Sequence, residues 1–290
     1  MCDETTEAEN ERYLAQKGIT RRAFNSGISA TLLATLMPGA VAASSVMESD
    51  VLIETPDGEA DCYLVHPVNG KHPAVIMWPD VMSIRPAFRE MGKRLAESGY
   101  TVLVVNPYYR THKGEIIAHG EGFHIPEVRE RLMQHRNSLS AETCVTDGIA
   151  YVNYLDKLPA ADNSRRVGTC GYCMTGSYTI RLAAALPKRI GAAASFHGGN
   201  LVTDSNDSPH RLISEINAGL LIAIAENDDA KEPETINELR KASDAAGIEA
   251  EIEVYQGAMH GWCPLDSRVY NHELAEKAWG RMLALFAREL

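Results

Sequence analysis

From Ala74 to the C-terminus, short and largely apolar runs alternate with longer segments of helical period. This alternation constrains the fold more than any other feature of the chain. The runs are Ala74–Trp78, Thr101–Val105, Arg166–Cys170, Ala192–Phe196, Leu220–Ala225 and Glu251–Tyr255. Runs with little polar alternation suit strands covered on both faces. Between them, helices are expected at Pro86–Ser98, Ala141–Leu155, Thr175–Leu186, Pro233–Ala246 and His272–Glu289. In the first, Phe88, Met91 and Leu95 share a face and Gly99 ends it; in the second, Val145, Ile149 and Val152 are the expected inward set. The pattern predicts an α/β fold with a mainly parallel central sheet and helices on both faces. Upstream, Val51–Ile53 and Asp61–His66 are expected as short strands around the turn Thr55-Pro56-Asp57-Gly58. Residues 107–139 are polar and irregular, with the length of a loop or partial lid. Residues 48–290 are expected to form one domain.

Sites in such sheets lie at the carboxyl ends of the strands. The residues there are Asp80, Tyr108 to Arg110, Cys173, His197, Asp228 and His260. The sharpest signal is Gly171-Tyr172-Cys173-Met174-Thr175-Gly176, placed between a strand and a helix. A tight strand-to-helix turn with small neighbours exposes a nucleophile. The amide of Met174, at the start of that helix, is then available to an oxyanion. A thiol nucleophile needs a base, and the base an orienting carboxylate. The order Cys173, Asp228, His260 is the nucleophile–acid–histidine order of α/β-hydrolases. Asp229 competes with Asp228 for the acid position, and His197 reads as a structural histidine or pocket wall.

Over about Val51 to Leu290 the chain resembles the dienelactone hydrolase family, α/β-hydrolases with a cysteine nucleophile. The resemblance implies Cys173, Asp228 and His260 as the triad. It places Asp80, in Trp78-Pro79-Asp80-Val81, where the family carries an acid that contacts and activates the resting thiol. It implies the Val81 amide as second oxyanion donor beside Met174. Asn106-Pro107-Tyr108-Tyr109-Arg110 matches the segment carrying a substrate-carboxylate arginine, which falls on Arg110; Tyr108 and Trp262 are expected at the substrate. The implied reaction is hydrolysis of a small ester or lactone through an acyl-thiol, with no metal or organic cofactor. The chain departs from the family in the elbow, which reads Met174-Thr175-Gly176 where the family usually has two glycines after the third position, at Asp80 in place of glutamate, and after His260, where the nearest arginine is Arg268.

Two other classes compete. Cys170-Gly171-Tyr172-Cys173 is a C-x-x-C, which in a different fold marks a thiol–disulfide redox site. An α/β-hydrolase fold also serves in places as a non-catalytic binding module. A zinc site is not expected, because no second ligand cluster follows at zinc spacing.

The net charge of −11, with no run of Lys and Arg, argues against nucleic acid as a partner. Arg21-Arg22 precedes a weakly apolar run, Ile28 to Ala43, that ends in Ala40-Val41-Ala42-Ala43-Ser44. The run is too short and polar for a stable membrane span and resembles a twin-arginine export signal over residues 1–43. A periplasmic location is therefore expected, a cytoplasmic one if the segment is an uncleaved helix. Loss of residues 1–43 would take one of the six cysteines and leave an odd number, which suggests no disulfide framework. A monomer or small homo-oligomer is expected.

Overall fold

The computed structural model describes residues 4–17 and 45–290. Arg21-Arg22 and the small-residue stretch at 40–44 lie outside the described residues, and with them most of the expected export signal.

Eight strands form one sheet in the order β1-β2-β4-β3-β5-β6-β7-β8. β1 (Val46–Thr55) and β2 (Gly58–Pro67) make an antiparallel hairpin, and β2 also pairs antiparallel with β4 (Thr101–Val105). β3 (Ala74–Trp78), β5 (Val167–Tyr172), β6 (Ile190–Phe196), β7 (Gly219–Ala225) and β8 (Ala250–Tyr255) complete a parallel sheet with β4. The hairpin strands are longer than the expected short ones. In β1 the stretch Met47 to Asp50 is exposed and shows no apolar alternation, and backbone pairing with β2 carries the strand on.

The continuous apolar runs are explained by two cores. In β3, Val75 and Met77 face one cluster with Phe88, Leu95, Trp262, Met282 and Phe286, while Ile76 and Trp78 face another with Tyr151, Leu155, Ile180 and Leu239. The first core is covered by helices Pro86–Glu97 and His272–Glu289, the second by Ala141–Leu155, Gly176–Ala185 and Thr235–Ala246. Pro86 opens the first of these, and Gly247, at φ 65°, supplies the left-handed cap of the last.

Two expectations are corrected. The helix Ala141–Leu155 buries Cys144, Asp147, Gly148, Tyr151, Val152 and Leu155 and leaves Ile149 exposed. Its inward face includes a carboxylate because Asp147 pairs with Arg110 and Tyr109. It includes Gly148 because a Cβ there would lie 2.4 Å from Leu182. The segment 107–139 contains a helix, Pro126–Arg136, that buries only Val128 and Leu132. Those two join Val81, Tyr108, Ile116 and Phe123 in a third cluster, with Met82 and Met174 packed against it. The segment therefore covers Val81 and Met174, as a lid would.

Residues Glu4–Gln16 form a further helix, within a stretch whose polar composition suggests no packing. Thr6, Asn10 and Leu14, spaced by four, are its buried positions. Glu7 and Glu11 reach Arg268, and Glu9 reaches Lys231 and Asn227.

Candidate active site

Cys173 follows β5 at φ 59°, a left-handed conformation that costs a non-glycine residue energy and recurs at functional turns. Two glycines make the turn sterically accessible. A Cβ at Gly171 would lie 2.3 Å from the Thr175 carbonyl oxygen, and one at Gly176 2.5 Å from Gly198 Cα. Thr175, the departure noted above, fixes the turn. Its hydroxyl accepts from the Tyr172 amide (3.0 Å) and lies 2.9 Å from the carbonyl oxygens of both Trp78 and Pro79, to either of which it can donate. The side chain that looked like a tight fit therefore ties the elbow to the end of β3.

That end carries Asp80 and Val81. Asp80 is buried, and both carboxylate oxygens are taken: Arg85 donates to Oδ1 at 2.7 Å and to Oδ2 at 3.0 Å, and the Met82 amide donates to Oδ1 at 2.9 Å. Arg85 is 1% exposed and turns its remaining edge to Asp266 (2.7 and 2.9 Å). Burial raises the Asp80 carboxyl above its ordinary range; Arg85 opposes this, and the nearby Cys173 adds to it. Burial disfavours the Arg85 cation, but its two carboxylate partners keep it firmly protonated. Arg85 was not anticipated, and the sequence offered no signal beyond a cation before Pro86. Tyr108, fully buried, donates to the Val81 carbonyl oxygen (3.0 Å) and lies 3.4 Å from Met174 Sδ, so it holds together the two expected oxyanion residues.

The acid and base come from the ends of β7 and β8. Asp228 stands in the short helix Glu226–Lys231, and its Oδ2 lies 2.7 Å from His260 Nδ1. This geometry selects Asp228 over Asp229. The loops are stitched together, since the Glu226 amide donates to Ala258 and the His260 amide to Asn227 Oδ1 (2.8 Å). Burial opposes ionisation of Asp228, yet the His260 ring holds its carboxyl below the ordinary range. Burial alone would lower the His260 pKa; the Asp228 carboxylate and the Cys173 sulfur override it and raise the ring to about 10.

Cys173, His197 and His260 are all buried, and their ligating atoms lie within 4.8 Å of one another. Tyr172 and Phe196 are register partners at the ends of β5 and β6, which sets the next residues, Cys173 and His197, side by side. Chain spacing, on which no metal site was expected, does not show this cluster. Trp262 is fully buried, stacked on Tyr255 and edge-on to His197; it is a wall behind that ring. The Arg110 guanidinium is shared between Asp147 (2.7 and 2.8 Å) and Asp57 (2.6 and 3.0 Å) and lies over the Tyr109 ring. The structure thus commits Arg110 to two carboxylates of the protein itself.

Among the described residues no cysteine forms a disulfide. Cys170 points from β5 into the core with Met77 and Phe88, and burial pushes its thiol up. No described helix is long and apolar enough to cross a membrane.

A buried thiol on a strand-to-helix elbow, next to a histidine paired with a carboxylate, on this strand order, defines the α/β-hydrolase fold. The model of the dienelactone hydrolase family matches residues 60–290. The chain belongs to that family and is a hydrolase of its type. It is 27% identical over 232 residues to a Synechocystis protein named "Putative carboxymethylenebutenolidase", covering 79% of this chain and 91% of the relative. It is 25% identical over 226 residues to a Bradyrhizobium protein named "Probable 2-oxo-3-(5-oxofuran-2-ylidene)propanoate lactonase", covering 76% and 86%. The crystal structure of a "Putative Dienelactone Hydrolase" from Klebsiella pneumoniae superposes with a TM-score of 0.73 at 24% identity, over 84% of this chain and all of the other.

Proposed function

We propose that the chain hydrolyses a small carboxylic ester or lactone, of the carboxymethylenebutenolide kind named for its relatives, through Cys173, His260 and Asp228. The observation that carries this reading is the 2.7 Å Asp228–His260 pair beside the elbow thiol. His260 takes the thiol proton through Nε2, since Nδ1 faces Asp228. The thiolate attacks the carbonyl carbon, and the Met174 and Val81 amides stabilise the oxyanion. Collapse of that intermediate breaks the carbon–oxygen bond, and the imidazolium returns its proton to the leaving oxygen. Water, deprotonated by His260, then attacks the acyl-thiol and frees the acid and the thiol. Asp80 is near enough to Cys173 for the sulfur to act on its carboxyl, which supports a part in activating the thiol. Its pairing with Arg85 favours the ionised form, whereas His260 is paired with the Asp228 carboxylate and is the base in this reading. Arg110 has no substrate contact in this reading.

Wild type and Cys173→Ala are assayed in parallel on activated esters and enol-lactones including dienelactone. Activity confined to wild type, with an acyl adduct on Cys173 trapped for mass spectrometry, supports the proposal. Equal activity in both proteins refutes it. We further propose twin-arginine export with cleavage near residue 43. N-terminal sequencing of protein from the periplasm tests this, and an intact residue 1 there refutes cleavage.

A further inference from the structure

His197 has no place in the reaction above, and its setting is unusual. It is 1% exposed, its backbone is left-handed at φ 41°, and neither ring nitrogen makes a well-formed hydrogen bond. A buried imidazole normally finds a partner for at least one nitrogen. Here the ring is wedged between Trp262 (5.1 Å) and His260 (4.9 Å), and Tyr172 closes a third side at 6.2 Å. The Cys173 side chain is within hydrogen-bonding reach of the ring and acts on its charge, as do His260 and Asp228. Burial lowers its pKa.

We propose that Cys173, His197 and His260 form a binding site for one Zn2+ ion. The donor set is one thiolate and two imidazoles, which suits a borderline-soft divalent ion and offers no oxygen for Mg2+ or Ca2+. Zinc bond lengths put tetrahedral ligand atoms about 3.3–3.6 Å apart, so ligands already within 4.8 Å close by no more than about 1.5 Å. Asp228 at His260 Nδ1 is the carboxylate that orients a zinc-bound histidine and leaves Nε2 for the metal. Three protein ligands leave the fourth position to water. Binding converts the thiol to a zinc-bound thiolate and releases one proton to solvent; nothing is oxidised or reduced. In the loaded form the sulfur and His260 Nε2 are both occupied, so thiol chemistry at Cys173 stops.

The site does not depend on the hydrolytic reading, and its test needs no substrate. The full chain is titrated with Zn2+ and with Co2+ as a spectroscopic substitute, and bound metal is counted after dialysis. One equivalent should bind, and Co2+ should show a sulfur-to-metal charge-transfer band that Cys173→Ser abolishes. His197→Gln should weaken Zn2+ binding at least 100-fold while Cys173 stays reactive to iodoacetamide. Should that variant not fold, peptide mapping of wild type decides. Zinc must then protect Cys173 from alkylation without changing labelling of Cys62, Cys144, Cys170 or Cys263. Unchanged zinc affinity in a folded His197→Gln, no charge-transfer band, or a Cys173 that alkylates equally with and without zinc overturns the proposal.

Discussion

Replacing Arg85 by Met tests how the loop after β3 is held. Arg85 is the sole cation bonded to both oxygens of Asp80 among the described contacts, and their side chains are 1% and 10% exposed. Removing one member of a buried ion pair leaves an uncompensated charge and costs about 3–5 kcal/mol. Asp266, whose side chain is 41% exposed, regains water and adds little. For a domain of this size the cost corresponds to a Tm lower by about 6–20 °C, at about 2–4 °C per kcal/mol. The double variant Arg85→Met/Asp80→Asn removes the orphaned charge and should recover at least half of that loss. The pH dependence has a definite sign. The Asp80 carboxyl is already raised by burial, and without Arg85 it rises further. A carboxyl raised in the folded state penalises folding above its folded pKa and no longer does so below its unfolded pKa of about 3.9. The deficit of the single variant should therefore shrink as pH falls from 7 towards 4. Urea unfolding at several pH values and calorimetry read both effects. A single variant that loses less than about 1 kcal/mol, or a double variant as unstable as the single, would refute a buried pair that holds the loop.

Four further outcomes follow from the site. Asp228→Asn should lower kcat/KM by at least about 100-fold, whereas Asp229→Asn should not, since only Asp228 reaches His260. The alkaline limb of the wild-type pH profile should lie near 10, where His260 loses its proton, and should move to lower pH in Asp228→Asn because a raising charge is gone. Thr175→Val should cost about 1–3 kcal/mol by orphaning the buried Tyr172 amide, with Thr175→Ser close to wild type; chemical denaturation measures both. Cys170→Ser should keep most hydrolytic activity, and its loss together with Cys173-dependent disulfide exchange would favour the redox reading.

The limits of the sequence reading show at particular residues. The parallel strands were legible because burial on both faces leaves continuous apolar runs such as Ala74–Trp78. The helix Pro126–Arg136 was not, because it buries only Val128 and Leu132 and leaves no apolar stripe. The order of the candidate triad was legible because each member follows its own strand. The role of Arg110 was not, since Asp147 and Asp57, its partners, lie 37 and 53 residues away. Thr175 was seen only as a departure, because the carbonyl oxygens it meets belong to Trp78 and Pro79 at the end of β3, 97 and 96 residues away.

Local sequence thus determined the strand-and-helix alternation, the elbow and the candidate triad, since each depends on residues close in the chain. The tertiary structure alone decided that Arg85 clamps Asp80 and Asp266, that Asp228 rather than Asp229 meets His260, and that His197 stands beside Cys173. These are meetings of side chains brought together by sheet pairing, and β5 and β6 set Cys173 beside His197 through a register that no spacing along the chain encodes.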